Sequence, residues 1–383
     1  MTAPRLVRFD IDAFLRDHWQ KKPLLIRGAW DEWSNPLSPD ELAGLACEDG
    51  VESRLVQRAA DGWSIEHGAF PEERLGALHT ANWTLLVQAV DQFVPAVAAL
   101  IEPFRFVPDW RIDDVMVSIA ATGGGVGPHF DQYDVFLVQG LGRRRWRIGA
   151  MCDADTPLVA NDDVRLLADF EALEEHVLGP GDILYVPPGI AHDGIAESDD
   201  CMTYSIGFRA PSRSELVAHF CDHVLATLED DDRYADPDLR RQANPGEIAP
   251  AALARLQAMV TETLGDGEAF ARWFGTHATT PKYPELDWAP DEAIGNDLLR
   301  ARLAAGEALH RNAASRYAFV RRAEGGVLLF VDGHCHACTG ERAAVAETLC
   351  ARASVVLDPA LLDSDEAMEL IGQLVADGSL SFD

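Results

Sequence analysis

Between about residues 115 and 208, apolar and polar positions follow the short alternating runs of strands rather than the three-to-four spacing of helices. Val115-Met-Val-Ser-Ile-Ala120, Val135-Phe-Leu-Val-Gln139, Arg143-Arg-Arg-Trp-Arg-Ile148 and Ile183-Leu-Tyr-Val186 are rich in β-branched and aromatic residues and bounded by Gly/Pro turns, so each is predicted to be a strand. Gly140-Leu-Gly142 is short enough for a tight hairpin, which would pair Val135–Gln139 with Arg143–Ile148. On the returning strand, alternation places Arg144, Trp146 and Ile148 on one face and Arg143, Arg145 and Arg147 on the other. Trp146 and Ile148 mark the inward face, so Arg144 is carried inside with them. Upstream, residues 14–28 read as a helix broken by Pro23 and followed by a strand.

The pattern changes after Phe208-Arg-Ala-Pro211. Ser212-Arg-Ser-Glu215 has the form of a capping box and predicts a helix to about Leu228, interrupted by the acidic run Glu229–Asp232 and Pro237. Leu253, Leu256, Val260 and Leu264, then Phe270, Trp273 and Phe274, recur at helical spacing, and Thr280-Pro-Lys-Tyr-Pro284 is a linker candidate. Beyond about residue 300, strands are expected at Tyr317–Arg321, Gly326–Asp332 and Ser379–Phe382, with helices near Glu341–Ala351 and Asp365–Ala376; this mixture suits a winged helix. The expected organisation is a first domain over 1–211, a helical segment over 212–283 and a winged-helix-like domain over 284–383. The fold class is α+β, without internal repeats.

Composition narrows the class of molecule. A hydrophobic share of 48% with 25% charged residues is ordinary for a soluble globular protein, and no apolar run reaches membrane-spanning length. The start, Met-Thr-Ala-Pro-Arg-Leu-Val-Arg, lacks the apolar core of a secretory signal, so a cytoplasmic location is expected. Seven cysteines without periodic spacing argue against a disulfide framework. His334-Cys335-His336-Ala-Cys338 holds one C-x-x-C pair but no second pair of zinc ligands at similar spacing, and reads as a turn that binds no metal. The net charge of −31 opposes direct nucleic-acid binding and suits a basic protein partner, or serves solubility alone.

The candidate chemistry lies in two short stretches. Gly127-Pro-His-Phe-Asp-Gln-Tyr-Asp134 contains His129-x-Asp131, two ligand-type residues that a strand would point to the same side. Gly181-Asp-Ile-Leu-Tyr-Val-Pro-Pro-Gly-Ile-Ala-His192 brings a second histidine to the end of a strand. Two histidines and one carboxylate form the facial triad that holds Fe(II) and leaves positions open for a co-substrate and dioxygen. A buried Arg144 needs an anionic partner. That partner is either the distal carboxylate of 2-oxoglutarate, which a guanidinium grips in two places, or an internal Asp or Glu. Ser118, in an apolar strand, would share that carboxylate or bond within its own sheet. Gln132, Tyr133 and Asp134 follow the ligands closely and are placed at the substrate mouth, where Asp134 would pair with a substrate guanidinium.

These stretches resemble the two cupin motifs, matched at Gly123, His129 and Gly142 and at Gly181, Pro187, Gly189 and His192. Val135 stands near the usual glutamate of cupins, whose loss speaks against a four-ligand cupin site, and Ala196 stands where many have asparagine; Asp131 replaces the histidine of many cupins, a departure that points to the JmjC branch. Together with G-R-R-R-W-R-I-G and Y-S-I-G-F-R-A-P, the segment Met116–Pro211 resembles the bacterial ribosomal oxygenases. The resemblance implies a double-stranded β-helix catalytic domain, a helical dimerisation segment and a winged-helix-like domain, hence a homodimer. It also implies hydroxylation of an arginine in a basic large-subunit ribosomal protein, the sixteenth, using Fe(II), 2-oxoglutarate and O2. The iron ligands would be His129, Asp131 and His192, and the 2-oxoglutarate contacts Arg144 and Ser118. Two other readings fit the same metal site: hydroxylation of a histidine, asparagine or methylated lysine in another protein, and a non-catalytic metal-binding cupin scaffold. A winged-helix regulator of DNA is a third, which the acidic charge disfavours.

Overall fold

The structure, a computed structural model, describes residues 4–59, 62–159, 166–229, 232–292 and 294–382. The chain forms two compact units, Met1–Ala210 and Pro211–Asp383.

Among the described residues the first unit contains eleven strands: β1 (Leu24–Ile26), β2 (Ser53–Ala59), β3 (Gly62–His67), β4 (Trp83–Val87), β5 (Ile112–Ala120), β6 (Asp134–Leu141), β7 (Arg144–Met151), β8 (Glu174–Leu178), β9 (Ile183–Val186), β10 (Ile190–Ala196) and β11 (Cys201–Phe208). They form a large sheet in the order β1-β9-β6-β11-β5-β4-β2-β3 and a small one in the order β10-β7-β8. From β5 onward the chain passes repeatedly between the two sheets, which is the winding of a double-stranded β-helix. The sequence places β5, β6, β7 and β9 well, but the expected hairpin between β6 and β7 does not form. Both edges of β6 are taken, by β11 and by β9, while β7 pairs with β10 and β8. The intervening Gly142, at φ +60, turns the chain from one sheet to the other instead of back along the same one.

Alternation in the large sheet separates two apolar layers. Val117, Phe136, Val138, Tyr185, Tyr204 and Phe208 point outward against Phe14, Leu42, Leu100 and Phe104 from the flanking helical segments. Val135, Leu137, Leu184 and Val186 point inward and meet Trp146, Ile148, Leu178 and Ile190 of the small sheet or its vicinity. Each such side chain taken from water contributes roughly 1.5–3 kcal/mol, so a register slip of one residue would exchange both layers at once. The expected lead-in is present as the helix Ile11–Asp17, which Asp10 caps through the Ala13 amide at 3.0 Å, and β1 follows Pro23.

In the second unit, Ser212 and Glu215 form the expected capping box and open the helix Arg213–Thr227. The predicted acidic interruption at Glu229–Asp232 lies partly outside the described residues. Helices Pro250–Leu264 and Gly267–Thr279 follow, then Asn296–Ala304, Gly340–Ala351 and Asp365–Ala376. Small sheets join β12 (Leu309–Arg311) to β16 (Ser354–Val355) and β17 (Leu380–Ser381), and β13 (Tyr317–Arg321) to β14 (Val327–Val331) and β15 (His334–Cys338). The segment His334–Cys338, read from the sequence as a turn, is therefore a strand: the true turn is the Asp332-Gly333 pair, where both residues have positive φ. As a consequence Cys335 and Cys338 face opposite sides of the sheet, with Cys338 buried and Cys335 exposed. Among the described residues no cysteine is joined in a disulfide. Among the described residues no helix is long and apolar enough to cross a membrane.

Candidate metal and co-substrate site

His129, Asp131 and His192 converge: one ligand atom from each lies within 4.8 Å of the others. Among the described residues this is the one cluster of three or more such side chains. Asp131 Oδ2 stands 3.9 Å from His129 Nε2 and 3.6 Å from His192 Nε2, a spacing suited to an ion in the middle rather than to direct hydrogen bonds. Local backbone pairing sets this geometry. His129 and His192 exchange both main-chain hydrogen bonds, at 3.0 and 2.8 Å, and the Gly189 amide donates to the Asp131 carbonyl at 2.7 Å. The expected strand through His129 and Asp131 is thus reduced to a single bridge at His129, while His192 lies within β10 rather than at a strand end.

The chemistry of the donors fits a metal. Each histidine Nδ1 lies 2.9 Å from a backbone carbonyl, that of Gly127 for His129 and of Ile190 for His192. A carbonyl can only accept, so the proton sits on Nδ1 and Nε2 is left with its lone pair toward the cluster. Burial, and next the neighbouring His129, push the His192 imidazole down to about 4, so it is neutral near pH 7. Tyr133 hydrogen-bonds to Asp131, and burial with the Asp131 charge raises its phenol, which remains a protonated donor.

Arg144 is on the inner face of β7, as alternation predicts, and is only 4% exposed. Its Nε and Nη2 are buried without a hydrogen-bond partner, and no acidic side chain among the described residues forms an ion pair with it. Its strand partner Ala196 packs with Ala120 and Cys201 of the large sheet, all three with small side chains. Ser118 lies two residues from Ala120 on the same face of β5, buried in a cross-strand row with Leu86 and Thr203. A desolvated, uncompensated guanidinium is costly, which makes this a cradle for an anion. A dicarboxylate such as 2-oxoglutarate fits it.

Asp134 is not at the substrate mouth. It faces outward from β6, fully buried, and accepts from the Tyr185 hydroxyl at 2.6 Å, Gln20 Nε2 at 2.9 Å and Arg111 Nη2 at 3.2 Å. Inward Val135 forces this, because its neighbour must point to the opposite face. Gln132 is exposed, and Tyr133 is 43% exposed and otherwise packed against its surroundings.

One residue of interest was not singled out from the sequence, and a second was read there only as an inward-facing position. Asp114 is buried on the same face of β5 as Ser118, accepts from Gln88 Nε2 at 2.7 Å and the Ala89 amide at 3.1 Å, and lies close enough to Tyr133 to act on its phenol. An aspartate four residues before Ser118 in a strand was the available signal. Trp146 has its ring 5.9 Å from that of His192 and 5.8 Å from the Arg144 guanidinium carbon.

Two facing sheets enclosing a two-histidine, one-carboxylate cluster define a JmjC-type oxygenase. The chain matches the JmjC domain over residues 99–216 and a ROXA-like winged helix over 262–381. It is 45% identical over 279 residues to the ribosomal protein uL16 3-hydroxylase of Escherichia coli, covering 73% of this chain and 74% of that one. A probable ribosomal oxygenase of Haemophilus influenzae is 38% identical over 281 residues, 69% of this chain and 66% of the other. The solved structure of E. coli YcfD superposes with a TM-score of 0.90 at 35% identity over 100% of both chains. A structure of YcfD as a ribosomal oxygenase in complex with cobalt and 2-oxoglutarate gives 0.86 at 36% identity over 99% of both. The chain belongs to the ribosomal oxygenase family.

Proposed function

We propose that this protein is a 2-oxoglutarate- and Fe(II)-dependent oxygenase that hydroxylates an arginine side chain of the large-subunit ribosomal protein uL16. The observation that carries the reading is the uncompensated Arg144 guanidinium inside the same barrel as His129, Asp131 and His192, in a chain 45% identical to a uL16 3-hydroxylase.

His129, Asp131 and His192 hold the iron, and Arg144 with Ser118 holds the distal carboxylate of 2-oxoglutarate. When bound, iron and 2-oxoglutarate supply the oxidising power: one atom of O2 enters the substrate C–H bond, the other enters succinate, and carbon dioxide leaves. The chain's own contribution is orientation and exclusion of water. Carbonyl-bound Nδ1 protons fix both imidazoles as neutral ligands, and Tyr133 orients the Asp131 carboxylate. Asp114, on the inner face and near Tyr133, replaces Asp134 as the candidate carboxylate for a substrate guanidinium. The acidic chain attracts a basic ribosomal protein, and this charge speaks against direct contact with nucleic acid. The cytoplasm is the compartment where that partner is made.

The domain limits proposed are 1–211 for catalysis, 212–283 for dimerisation and 284–383 for the winged-helix-like domain. Leu253, Leu256 and Val260 on the helix Pro250–Leu264 are exposed, as are Val217 and Leu225 on the helix Arg213–Thr227, which supports a homodimer built on this apolar surface. Sedimentation velocity of Leu256→Glu/Val260→Glu should give a monomer.

The decisive experiment is mass spectrometry of large-subunit ribosomal proteins incubated with the protein, iron and 2-oxoglutarate, air being admitted last. One added oxygen on an arginine peptide of uL16, absent with His129→Ala, is the expected result. Turnover of 2-oxoglutarate with no such shift would retain the oxygenase and reject the target.

A further inference from the structure

Trp146 carries a polar group that the reaction described above does not use. Its side chain is 95% buried between the two sheets, and its indole Nε1 has no hydrogen-bond partner. Buried indole N–H groups are ordinarily paired, and an unpaired one carries a desolvation cost. The neighbour on the same face of β7, two residues away, is Arg144, whose Nε and Nη2 are orphaned in the same way. Three unsatisfied donors on adjacent inward side chains, with no acceptor among the described residues, describe a binding site for an anion rather than a packing defect.

The orientation of the ring supports this. A Cβ added to Gly194, the strand partner of Trp146 on β10, would come within 2.7–2.9 Å of Cε3, Cζ3 and Cη2. The six-membered edge of the indole therefore rests on the bare Gly194 backbone. The opposite edge, which carries the N–H, is turned away from that strand. The Arg144 guanidinium carbon lies 5.8 Å from the ring, and the His192 ring lies 5.9 Å from it. Trp146 thus stands within reach of both the anion cradle and the metal cluster.

We propose that the Trp146 indole N–H donates a hydrogen bond to the distal carboxylate of 2-oxoglutarate, alongside Arg144. The inference rests on the assignment of Arg144 to that co-substrate. It gives the carboxylate a neutral donor in a direction that the planar guanidinium does not cover, and makes Gly194 necessary as the floor on which the indole sits. A hydrogen bond to a charged group, once removed, weakens binding by roughly ten- to a hundredfold.

Trp146→Phe deletes the donor and keeps an aromatic ring. Calorimetric titration of the Mn(II)-loaded full-length protein with 2-oxoglutarate should show at least about a tenfold weaker Kd in the variant, with Mn(II) affinity unchanged. In 15N-tryptophan-labelled wild type, the Trp146 indole N–H resonance should move downfield on addition of succinate to the metal-free protein. That resonance is identified by its loss in Trp146→Phe or, should the variant not fold, by the strongest Mn(II) broadening. An equal Kd in the variant, or an indole resonance indifferent to succinate while wild type still binds it, overturns the proposal. Failure of wild type to bind either dicarboxylate removes instead the assignment of Arg144 on which the proposal stands.

Discussion

The two faces of the large sheet treat a buried charge in opposite ways. On the outer face, the Asp134 carboxylate is sealed among aromatic side chains and receives hydrogen bonds from three donors: Tyr185, Gln20 and Arg111. On the inner side, ten residues along the chain, Arg144 is also buried, and two of its nitrogens find no acceptor among the described residues. Folding alone accounts for the first arrangement and not for the second. A charge that the protein satisfies belongs to its architecture, whereas a charge that it leaves wanting belongs to its ligand.

The sharpest break of this comparison is at the metal cluster of the inner side. His129→Ala should abolish arginine hydroxylation and weaken metal binding beyond about a hundredfold, read from metal content after gel filtration and from product mass. Arg144→Met comes next, with an outcome of mixed sign. The Kd for 2-oxoglutarate should rise by about thirtyfold or more as a buried charge contact of at least 2 kcal/mol is lost. The ligand-free variant should meanwhile melt a few degrees higher, because about 1–4 kcal/mol of uncompensated burial is relieved. A lower melting temperature would mean that Arg144 has a structural partner after all. Asp134→Ala should do the reverse, costing about 3–5 kcal/mol in a denaturant titration and leaving Arg111 without its carboxylate partner, with little change in 2-oxoglutarate affinity of the folded fraction.

Asp114→Asn is expected to be milder, raising the KM for a uL16-derived peptide about tenfold while the KM for 2-oxoglutarate stays put. The smallest effect is in pH dependence. Burial, outweighing the three donors, raises the Asp134 carboxyl above its ordinary value. Between the unfolded and the raised folded value the native state keeps a proton that the unfolded chain has released, so stability falls as pH rises through that window. Asp134→Asn should remove this slope, at most about 1.4 kcal/mol per pH unit, measurable by urea unfolding across the acid range.

Much of the site was legible because alternation and ligand spacing are local. The inward set Arg144, Trp146 and Ile148 follows from the sequence of one strand, and the His129-x-Asp131 spacing with His192 after a Gly/Pro turn names the metal chemistry directly. What the sequence does not carry is pairing. The β6–β7 connection has the length of a hairpin, yet β6 finds both its partners in strands more than forty residues downstream, and no local signal discloses that competition. The same gap explains Asp134. Its proximity to the ligands along the chain suggested the substrate mouth, but only the parity of inward Val135 shows that its side chain points away. The capping box at Ser212 and the strands after Tyr317 were readable for the local reason, while the strand His334–Cys338 was hidden because its neighbour β14 supplies the apolar character that it lacks.

The reciprocal backbone bonds between His129 and His192 have a consequence for how the centre is assembled. They anchor two ligands from segments about sixty residues apart to each other through main-chain bonds in which an ion takes no part. The centre is therefore pre-formed, and little of the ion's binding energy is consumed in ordering loops. Such a protein should release its metal to a chelator and accept another without passing through an unfolded state, so that the identity of the bound ion follows supply in the cell rather than the history of folding.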